Sequence, residues 1–558
     1  MTFLPRPSTF LSAGAAFAAS TALVLTGGLA ASAEEPPPGP IHGPYVSDPQ
    51  VPNPALDLDG EEVCELSLFD QEFADWDIHT SDLAALEACG HPEEWSGASL
   101  TVSGSVAGVQ YDRLGWIRLD GTTITLLSTP EPSRDGLSWS VEKDVSPYLD
   151  LLKDADQAEM FLGNTVTEGL DGVFDMEVTL TVHAGGAERD DVPDAVIPVA
   201  DAQGTHTGLT GTVQTPRNTT RVLAEVYALG WGGGCEEFWD LMTPPESGTG
   251  SCNAESKHRE VEVYIDGTLA GTAMPYGVVF TGGWSNPYLW QPSPSPHAFD
   301  VPALTYDLTP FAGVLNDGQA HGVEIVVAGI SEESSGWYVA PNLQVWTDES
   351  RDVIPGGLDS VTDTGIQLDQ DVVPAGEEDG SYTLRADREV VTTGHLDLPR
   401  GRVTTTVTST LTEDSTHTWT ADLNRDDLTS QYTDHQVTET DNAKGPDYRR
   451  ERTTDWHKNG TLLYTPLEGD AWEVMTDLDI AHAATEGTAK LNPHGKIVKQ
   501  SSRTDTSAFD GQATWQSGGP REERRPVSEQ TASFTVEEDG VLTYEKVLTA
   551  RNGVYLAD

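Results

Sequence analysis

The sequence predicts an all-β protein built from two tandem β-sandwiches and a third β-rich region. Short runs of alternating Val, Thr, Leu, Tyr and Ile are separated by Asp-Gly and Asn-Gly turns, and almost no stretch has a helical period. Three structural elements also recur in the same order in two parts of the chain. With 558 residues, the chain is too long for one hydrophobic core, and its length suggests two to four domains.

The N-terminal residues 1–33 have the pattern of a cleaved secretory signal peptide. Arg6 precedes an apolar run from about Phe10 to Leu29, and Ala31-Ser32-Ala33 supplies the small side chains that a signal peptidase accepts. A retained membrane anchor is the alternative, but two glycines interrupt the run. Residues 34–56 are rich in proline and are predicted to form a disordered leader. We therefore expect a secreted, extracellular protein.

The four cysteines of the chain are expected to form two local disulfides, because secretion makes disulfide formation possible. Pairing Cys64 with Cys89 and Cys235 with Cys252 closes the shortest loops among the three possible connectivities. No pair has the spacing of a zinc knuckle, and no other segment has the spacing of metal ligands. We therefore expect no metal and no cofactor.

Two elements of the first sandwich are repeated in the second. Leu119-Asp120-Gly121-Thr122 and Ile265-Asp266-Gly267-Thr268 each join two strand-like runs, and Asp-Gly supplies the positive φ angles that a tight hairpin turn requires. Downstream, the segment 144–152 resembles the segment 307–315, and both contain Ser or Thr followed by Pro. This pair is typical of an N-cap and the first helical position, so a short helix is predicted in each unit.

The third repeated element is a closing strand. Gly172-Val173-Phe174 leads into one such run and Gly336-Trp337-Tyr338 into the other, so the order is hairpin, helical cap and closing strand in both units. The predicted sandwiches span about 57–185 and 205–350, with a linker over 186–204.

The third region, 355–558, is rich in Thr, Asp and Arg. Runs such as Val403-Thr404-Thr405-Thr406-Val407-Thr408 alternate like strands, so a C-terminal β-rich domain is predicted, without an assigned task.

The charge of the chain limits its partners. With 31 basic and 90 acidic residues, the formal net charge is −59. Nucleic acid is excluded as the main partner, because such binding depends on clustered Lys and Arg. An anionic membrane surface is disfavoured for the same reason, and we expect no membrane insertion. A solvated, salt-tolerant surface is the simplest meaning of this acidity.

The candidate chemistry consists of carboxylates and aromatic rings, because the usual phosphate-loop, serine-hydrolase and zinc-protease motifs are absent from the sequence. Tyr111-Asp112-Arg113 precedes the first Asp-Gly hairpin, which places Asp112 near one end of the sandwich and Arg113 on the opposite face of the strand. A structural ion pair or a turn cap is the alternative for these residues.

Two aromatic segments extend this candidate site. The segment from Trp231 to Asp240 contains three glycines, a cysteine and the adjacent acids Glu236 and Glu237 between Trp231 and Trp239. Neighbouring indoles would raise a carboxyl pKa and could stack on sugars, although glycine and tryptophan could equally pack a corner. The turn-rich segment 274–290, with Trp284 and Trp290, is either the wall of a cleft or a packed plug.

These residues carry a resemblance to the peptide-N-glycosidase A family, amidases that release N-glycans. It covers roughly residues 100–350. The matching motifs are Asp112-Arg113, Glu131-Pro132, Val141-Glu142-Lys143-Asp144-Val145, Phe161-Leu162-Gly163-Asn164, Glu225-Val226-Tyr227, Glu237-Phe238-Trp239, Val263-Tyr264-Ile265-Asp266-Gly267, Thr281-Gly282-Gly283 and Asp307-Leu308-Thr309-Pro310-Phe311.

Two motifs also resemble the bacterial F-type peptide-N-glycosidases, which have two eight-stranded jelly rolls with the active site at their interface. The resemblance implies jelly rolls here and places the catalytic carboxylates at Asp112 and Glu237. A further carboxylate of the F-type enzymes falls near Gly163-Asn164, where this chain has no acid, so Asn164 or Glu131 is the candidate for that polar role.

The resemblance implies a secreted amidase that hydrolyses the β-aspartylglucosylamine bond of N-glycosylated peptides and proteins, with a monomer favoured. A glycoside hydrolase that cuts within the N-glycan and a non-catalytic carbohydrate-binding protein are the alternatives. The expected catalytic residues are Asp112 and Glu237. The expected substrate-binding residues are Arg113, Asn164, Trp231, Glu236, Trp239, Trp284 and Trp290.

Overall fold

The computed structural model describes most of the chain after residue 60. The described residues are 61–132, 136–186, 192–231, 235–249, 252–277, 295–330, 336–399, 401–443, 447–469, 471–492, 494, 496–517, 527–552 and 554–555. The predicted signal peptide and leader lie outside these residues. Within the described part of the chain, no helix has the length and apolar content needed to cross a bilayer.

The first β-sandwich contains eight strands in two four-stranded antiparallel sheets. The strands are β1 (Glu61–Phe73), β2 (Ile78–Asp82), β3 (Trp95–Ala107), β4 (Leu114–Leu119), β5 (Thr122–Ser128), β6 (Leu137–Asp144), β7 (Gln157–Leu162) and β8 (Val173–Ala184). The sheet orders are β1-β8-β3-β6 and β2-β7-β4-β5. This is the strand order of a jelly roll.

The second β-sandwich has the same topology. Its strands are β9 (Ala195–Pro198), β10 (Ala200–Thr205), β11 (Gly208–Val213), β12 (Thr219–Gly230), β13 (Glu260–Ile265), β14 (Thr268–Ala273), β15 (Leu304–Asp307), β16 (His321–Ala328) and β17 (Trp337–Thr347). The sheet orders are β15-β12-β17-β9 and β10-β11-β16-β13-β14. With β10 as an added edge strand, β9 and β11–β17 repeat the order of β1–β8, so the all-β sandwich prediction is confirmed.

The described residues form few helices, and all of them are short. The α-helices there are α1 (Leu149–Asp154) and α2 (Ala312–Leu315), and the 3-10 helices are Ala84–Ala88, Pro92–Glu94, Ser146–Tyr148, Cys235–Leu241, Pro245–Ser247 and Thr309–Phe311.

Both predicted hairpin turns have the expected backbone. Asp120 and Gly121 have φ angles of 43° and 82°, and Asp266 and Gly267 have φ angles of 49° and 75°. Two consecutive positive φ angles define the tight turn that matches the twist of paired strands. The two turns also make the same contact, since the backbone N–H of the Asp donates to a carbonyl of a neighbouring strand in each sandwich.

The repeated helical caps are present, but their capping residue differs from the prediction. The first helical turn begins at Ser146 in one sandwich and at Thr309 in the other, without a capping bond from the side chain of the preceding residue. Instead, Asp144 Oδ1 accepts the N–H of Ser146 at 2.9 Å, and Asp307 Oδ1 accepts the N–H of Thr309 at 3.1 Å. The aspartate two residues upstream therefore caps each helix, because its carboxylate reaches the exposed N–H directly.

The segment predicted as a linker, 186–204, is largely part of the second sandwich. Its strand β9 pairs with β17, and β10 pairs with β11. The linker prediction is wrong for this part of the segment. Its acidic, proline-containing sequence does not have a strand pattern, and the two short edge strands are stabilised by pairing with their neighbours. The outer boundaries of the three domains stay predictions.

The C-terminal region forms one eleven-stranded antiparallel sheet, mostly of long strands. The strands are β18 (Gly356–Asp363), β19 (Gln367–Val373), β20 (Gly380–Leu398), β21 (Gly401–Trp419), β22 (Arg425–Asn442), β23 (Asp447–Pro466), β24 (Trp472–Leu491), β25 (Ile497–Gln516), β26 (Val527–Glu538), β27 (Val541–Arg551) and β28 (Val554–Tyr555). They follow each other in chain order, except that β18 and β19 both pair with β20.

The C-terminal sheet packs against the second sandwich through side chains that alternate along its strands. The Arg388 guanidinium binds Glu260, Thr438 Oγ1 donates to Asp307 Oδ2 at 2.9 Å, and Arg452 Nη1 donates to a backbone carbonyl of β15. Contacts join the sandwiches and this sheet into a single unit.

A buried polar cluster joins the two sandwiches. Lys143 of β6 forms an ion pair with Asp300 at 2.6 Å, and Tyr148 donates a hydrogen bond to Glu225 of β12. Burial opposes the charge of Lys143, but Asp300 and neighbouring groups outweigh burial and raise its pKa. Burial raises the pKa of Glu225. These bonds fix how one sandwich faces the other.

Candidate active site

The loop that carries Asp112 connects β3 to β4 and is held by a buried glutamine. The Gln110 amide oxygen accepts hydrogen bonds from the Tyr111 N–H at 3.1 Å and from Arg113 Nη2, and its Nε2 donates to the carbonyl oxygens of Thr165 and Gly172. Gln110 has no exposed surface, whereas the Tyr111 ring is 54% exposed. The residues on both sides of Asp112 are therefore fixed while the loop faces solvent.

Arg113 connects this loop with the second sandwich by electrostatics. Its backbone N–H donates to Thr129 Oγ1 at 2.9 Å, and its carbonyl oxygen accepts the Thr129 N–H at 3.0 Å, which extends the pairing of β4 with β5 by one residue before β4. Burial lowers the pKa of the Arg113 guanidinium, while the charges of Asp112, Tyr111 and Glu237 act to raise it. Carboxylates of both sandwiches, Asp112 and Glu237, therefore act electrostatically on the same guanidinium.

Glu237 reaches this place because its segment folds back onto the end of β12. The last residue of β12 is Gly230, and a Cβ atom added there would lie 2.0 Å from the Glu236 carbonyl oxygen and 3.2 Å from the Glu237 nitrogen. Only glycine allows this approach. The Cys235–Cys252 disulfide anchors the start of the segment.

Both disulfide predictions are confirmed, since Cys64 pairs with Cys89 as well. No cysteine of the described chain is free.

Glu236 has a structural role rather than the predicted contact with substrate. Its carboxylate is completely buried and accepts two hydrogen bonds of 2.9 Å from Arg259 Nε and Nη2. Trp337 Nε1 donates a third bond of 2.9 Å. A carboxylate that is enclosed and satisfied by these donors has no open side for a ligand. It instead fixes the segment that carries Glu237.

Asn164 and Trp239 are also buried within the fold. The Asn164 amide nitrogen donates to the carbonyl oxygens of Phe73 and Gly172, and its oxygen accepts the N–H of Thr165 at 2.8 Å. The Trp239 ring belongs to the hydrophobic core. Hydrogen bonds and packing inside the fold therefore occupy both side chains. Glu131, the other candidate for the third polar role, is buried too.

Trp231 is the predicted aromatic residue that stays at the surface. It directly follows Gly230, is half-buried, and donates its backbone N–H to the Gly336 carbonyl at 3.2 Å. Its ring centroid lies 5.9 Å from that of Trp76 in the first sandwich. Trp284 and Trp290 lie outside the described residues.

Trp76 is a further candidate residue, which the sequence did not indicate. It precedes β2, is 51% exposed, and lies across the junction from Trp231. The available signal was the run Asp75-Trp76-Asp77, an indole between two acids in a short connection. That run has no counterpart in the second sandwich, so the internal repeat did not indicate it.

The arrangement suits acid–base chemistry at the junction of two sandwiches. Each sandwich contributes one loop carboxylate, Asp112 or Glu237, and Arg113 lies under the influence of both charges. Paired carboxylates with a nearby cation can activate water and transfer a proton at a polar bond. Among the described residues, no group of three or more His, Cys, Asp or Glu side chains could hold a metal ion.

Comparisons with known proteins identify the family of this chain. A family model described as "Peptide N-acetyl-beta-D-glucosaminyl asparaginase amidase A" matches residues 50–363. The Peptide-N4-(N-acetyl-beta-glucosaminyl)asparagine amidase A of Prunus dulcis is 28% identical over 328 residues, which cover 53% of this chain and 56% of that protein. The chain thus spans a little over half the length of this curated relative.

Two solved structures of PNGF-II are also similar in part. The C2 crystal form has 12% identity and a TM-score of 0.35, covering 51% of this chain and 65% of the other; the P21 form has 14% identity and a TM-score of 0.33, covering 53% and 65%. The family model spans more than half of the chain and includes both candidate carboxylates. The chain therefore belongs to the peptide N-acetyl-β-D-glucosaminyl asparaginase amidase A family, also called peptide-N-glycosidase A.

Proposed function

We propose that this chain is a secreted amidase that hydrolyses the β-aspartylglucosylamine bond of N-glycosylated peptides and proteins. The reaction releases the N-glycan and converts the asparagine into aspartate. Family membership supports the reaction class. The observation that carries the proposal is that the charges of Asp112, from the first sandwich, and Glu237, from the second, both act to raise the pKa of Arg113.

The proposed chemistry divides three tasks among these residues. An amide nitrogen is a poor leaving group, so the site must activate water, stabilise the developing oxyanion and protonate the nitrogen. In our proposal Asp112 takes a proton from water and delivers it to the amide nitrogen, and Glu237 holds and polarises that water. The Arg113 cation, on which both carboxylate charges act, orients polar groups of the substrate in this proposal.

The products follow from the bond that is cleaved. The oxygen of water joins the carbonyl carbon of the side chain, which becomes the carboxyl group of aspartate. The carbon–nitrogen bond breaks and leaves a glycosylamine, which decomposes to the free sugar and ammonia. No step requires a redox partner.

The decisive experiment uses a glycopeptide in oxygen-18 water with mass spectrometry of the peptide. The wild-type chain is expected to produce aspartate that carries one solvent oxygen. Asp112→Asn should lower turnover by about 10²–10⁴-fold, since it removes the proposed general base. Asp369→Asn, in an exposed strand of the C-terminal sheet, is the matched control and should behave as wild type.

The same digest separates the alternatives. A glycoside hydrolase would leave asparagine with a sugar attached, and a carbohydrate-binding protein would bind the glycopeptide without turnover. Near-full activity of Asp112→Asn would contradict the proposed mechanism.

A further inference from the structure

Trp76 is an exposed indole whose orientation is fixed. Its Nε1 donates a hydrogen bond to Thr165 Oγ1 at 2.9 Å, although half of the side chain is in contact with solvent. An exposed indole leaves a large apolar surface in contact with water, which is unfavourable. An indole that is held in a fixed orientation at the surface is therefore a candidate for ligand binding. Because the N–H group is already used, the open side of the ring offers mainly its apolar π face.

The ring is held against the first sandwich by close packing. A Cβ atom added at Gly163 would lie 3.2 Å from Cζ3 of Trp76 and 3.0 Å from Cζ of Phe161, so glycine lets the indole lie directly on the backbone. The Phe161 centroid is 5.8 Å from that of Trp76, and Phe161 in turn stacks on Trp116 with an interplanar angle of 20°.

The aromatic row continues across the junction of the sandwiches. Trp76 belongs to the first sandwich and Trp231 to the second, and their centroids are 5.9 Å apart with an interplanar angle of 45°. The indoles therefore form a tilted pair at the place where the loops of both sandwiches meet. We call Trp76 and Trp231 the aromatic shelf.

Each tryptophan of the aromatic shelf is connected through a few contacts to the loop that carries one of the proposed catalytic carboxylates. The carbonyl oxygen of Thr165, whose side chain holds Trp76, accepts a hydrogen bond from Gln110 Nε2, and Gln110 fixes the residues on both sides of Asp112. At the other end, Trp231 follows Gly230, against which the Glu237 nitrogen packs. The shelf is thus connected to both loops that carry the catalytic carboxylates of the proposed function.

We propose that the aromatic shelf binds a pyranose ring of the N-glycan and that Trp76 is the substrate-binding residue that determines affinity for the glycan. This inference rests on the proposed function. The C–H face of a pyranose is apolar and slightly positive, and it complements the negative π face of an indole. A rigid, preorganised ring loses little conformational entropy when the sugar stacks on it.

The kinetic test compares Trp76→Ala with wild type on a glycopeptide that carries a chitobiose core. We expect KM to rise about tenfold or more with kcat changed less than about threefold, because the shelf binds the sugar and performs no chemistry. Trp76→Phe should recover most of the affinity, because it keeps an aromatic face. Thr165→Val keeps the ring but removes its anchor, and should raise KM by a smaller factor, about two- to fivefold.

The matched control is Trp472→Ala. Trp472 is also an exposed tryptophan, 37% accessible, and it packs on Tyr464 and Trp515 in the C-terminal sheet. Its replacement should leave KM unchanged. A KM for Trp76→Ala equal to the wild-type value would overturn the inference.

A binding arm separates this inference from the proposed function. In the Asp112→Asn background, titration with the intact glycopeptide should show about tenfold weaker binding when Trp76→Ala is added, and the sugar-free peptide should show no such difference. Equal weakening for both peptides would place the peptide on the shelf and refute the glycan assignment. If wild type binds the glycopeptide in this Trp76-dependent way but releases no glycan, the proposed function fails while the shelf stands.

Discussion

Glu236 and Glu237 are adjacent acids with opposite surroundings, and this contrast decides their roles. Glu236 is enclosed by Arg259 and Trp337, whereas Glu237 is partly exposed and acts electrostatically on Arg113. Successive residues of an extended or tightly turned segment point in different directions, so neighbours in sequence need not share a function.

The two glutamates should respond differently to the same substitution. Glu236→Gln leaves Arg259 buried without its charge partner and is expected to lower the free energy of unfolding by about 3–5 kcal/mol. Glu237→Gln should leave stability within about 0.5 kcal/mol of wild type and reduce glycan release by about 10²-fold or more. Urea denaturation and glycopeptide turnover, measured on both variants, check this pair. A loss of stability in Glu237→Gln, together with a stable but inactive Glu236→Gln, would contradict the two assigned roles.

The residue types of this site were readable from the sequence, but their exposure was not. Asp112 and Glu237 were predicted from the motifs that resemble known amidases. Asn164 and Trp239 were predicted on the same grounds, and the fold buries both. A motif records which residues a family keeps near a site and does not distinguish a contact with substrate from a support of the loop behind it.

At the scale of secondary-structure elements, a buried ionic cluster fastens the C-terminal sheet to the second sandwich. His258 lies between two carboxylates, with Nε2 at 2.9 Å from Glu260 of β13 and Nδ1 at 2.7 Å from Glu413 of β21. Lys257 also pairs with Glu413, and Arg388 also pairs with Glu260. Burial opposes the imidazolium charge, but the two carboxylates outweigh burial and raise the pKa of His258 from 6.5 to about 9.

This cluster predicts a loss of stability at alkaline pH. The folded protein holds a proton on His258 that the unfolded chain releases above pH 6.5, so the contribution is complete below that pH and disappears as the pH rises through about 9. The contribution amounts to about 3 kcal/mol of unfolding free energy. The measurement is urea denaturation of wild type and His258→Gln at about pH 6 and about pH 9.5. We expect the difference between the two proteins to shrink at the higher pH, and a difference that stays constant would contradict the assigned pKa.

The elements themselves were largely predictable because their signals are local. Alternation with period two and Asp-Gly turns identify strands and hairpins within a few residues of sequence. The helical caps were found from their Ser/Thr-Pro pairs, but the capping aspartates were not, since a side chain two residues upstream can cap only after the chain has turned. The strand β9 was missed because it pairs with the distant strand β17, and β10 was missed because all of its residues are exposed at the edge of a sheet.

At the scale of the whole molecule, the C-terminal sheet supports the segment that carries Glu237. Lys458 of β23 forms a buried ion pair with Asp240 at 3.5 Å, and Lys257 donates to the Asp240 carbonyl oxygen at 3.1 Å and to Ser430 of β22 at 2.7 Å. The task of this region could not be assigned from sequence. The structure places its strands β22 and β23 in contact with Lys257 and Asp240, and Asp240 lies in the segment that carries Glu237.

Lys458→Met tests this support, since it keeps the length of the side chain and removes the charge opposite Asp240. The buried carboxylate would lose its ion-pair partner, so we expect a loss of about 3–5 kcal/mol in unfolding free energy and a reduced kcat. The double variant Lys458→Met with Asp240→Asn should recover part of both losses, because no unpaired charge remains buried. Thermal unfolding and glycopeptide turnover give the two readouts. Full activity and stability of the single variant would show that the sheet does not position the segment.

The sequence by itself determined the fold class, the tandem repeat, both disulfides and the family. These depend on local periodicity, turn chemistry, loop length and contiguous motifs, all of which are written along the chain. Only the tertiary structure decided that Glu236 is buried whereas Glu237 is partly exposed, that Trp76 contacts Trp231, and that a sheet from the C-terminal region supports the segment between β12 and β13. The reason is that burial and partner choice depend on residues more than a hundred positions apart, and pattern along the chain does not encode which distant surface will cover a side chain.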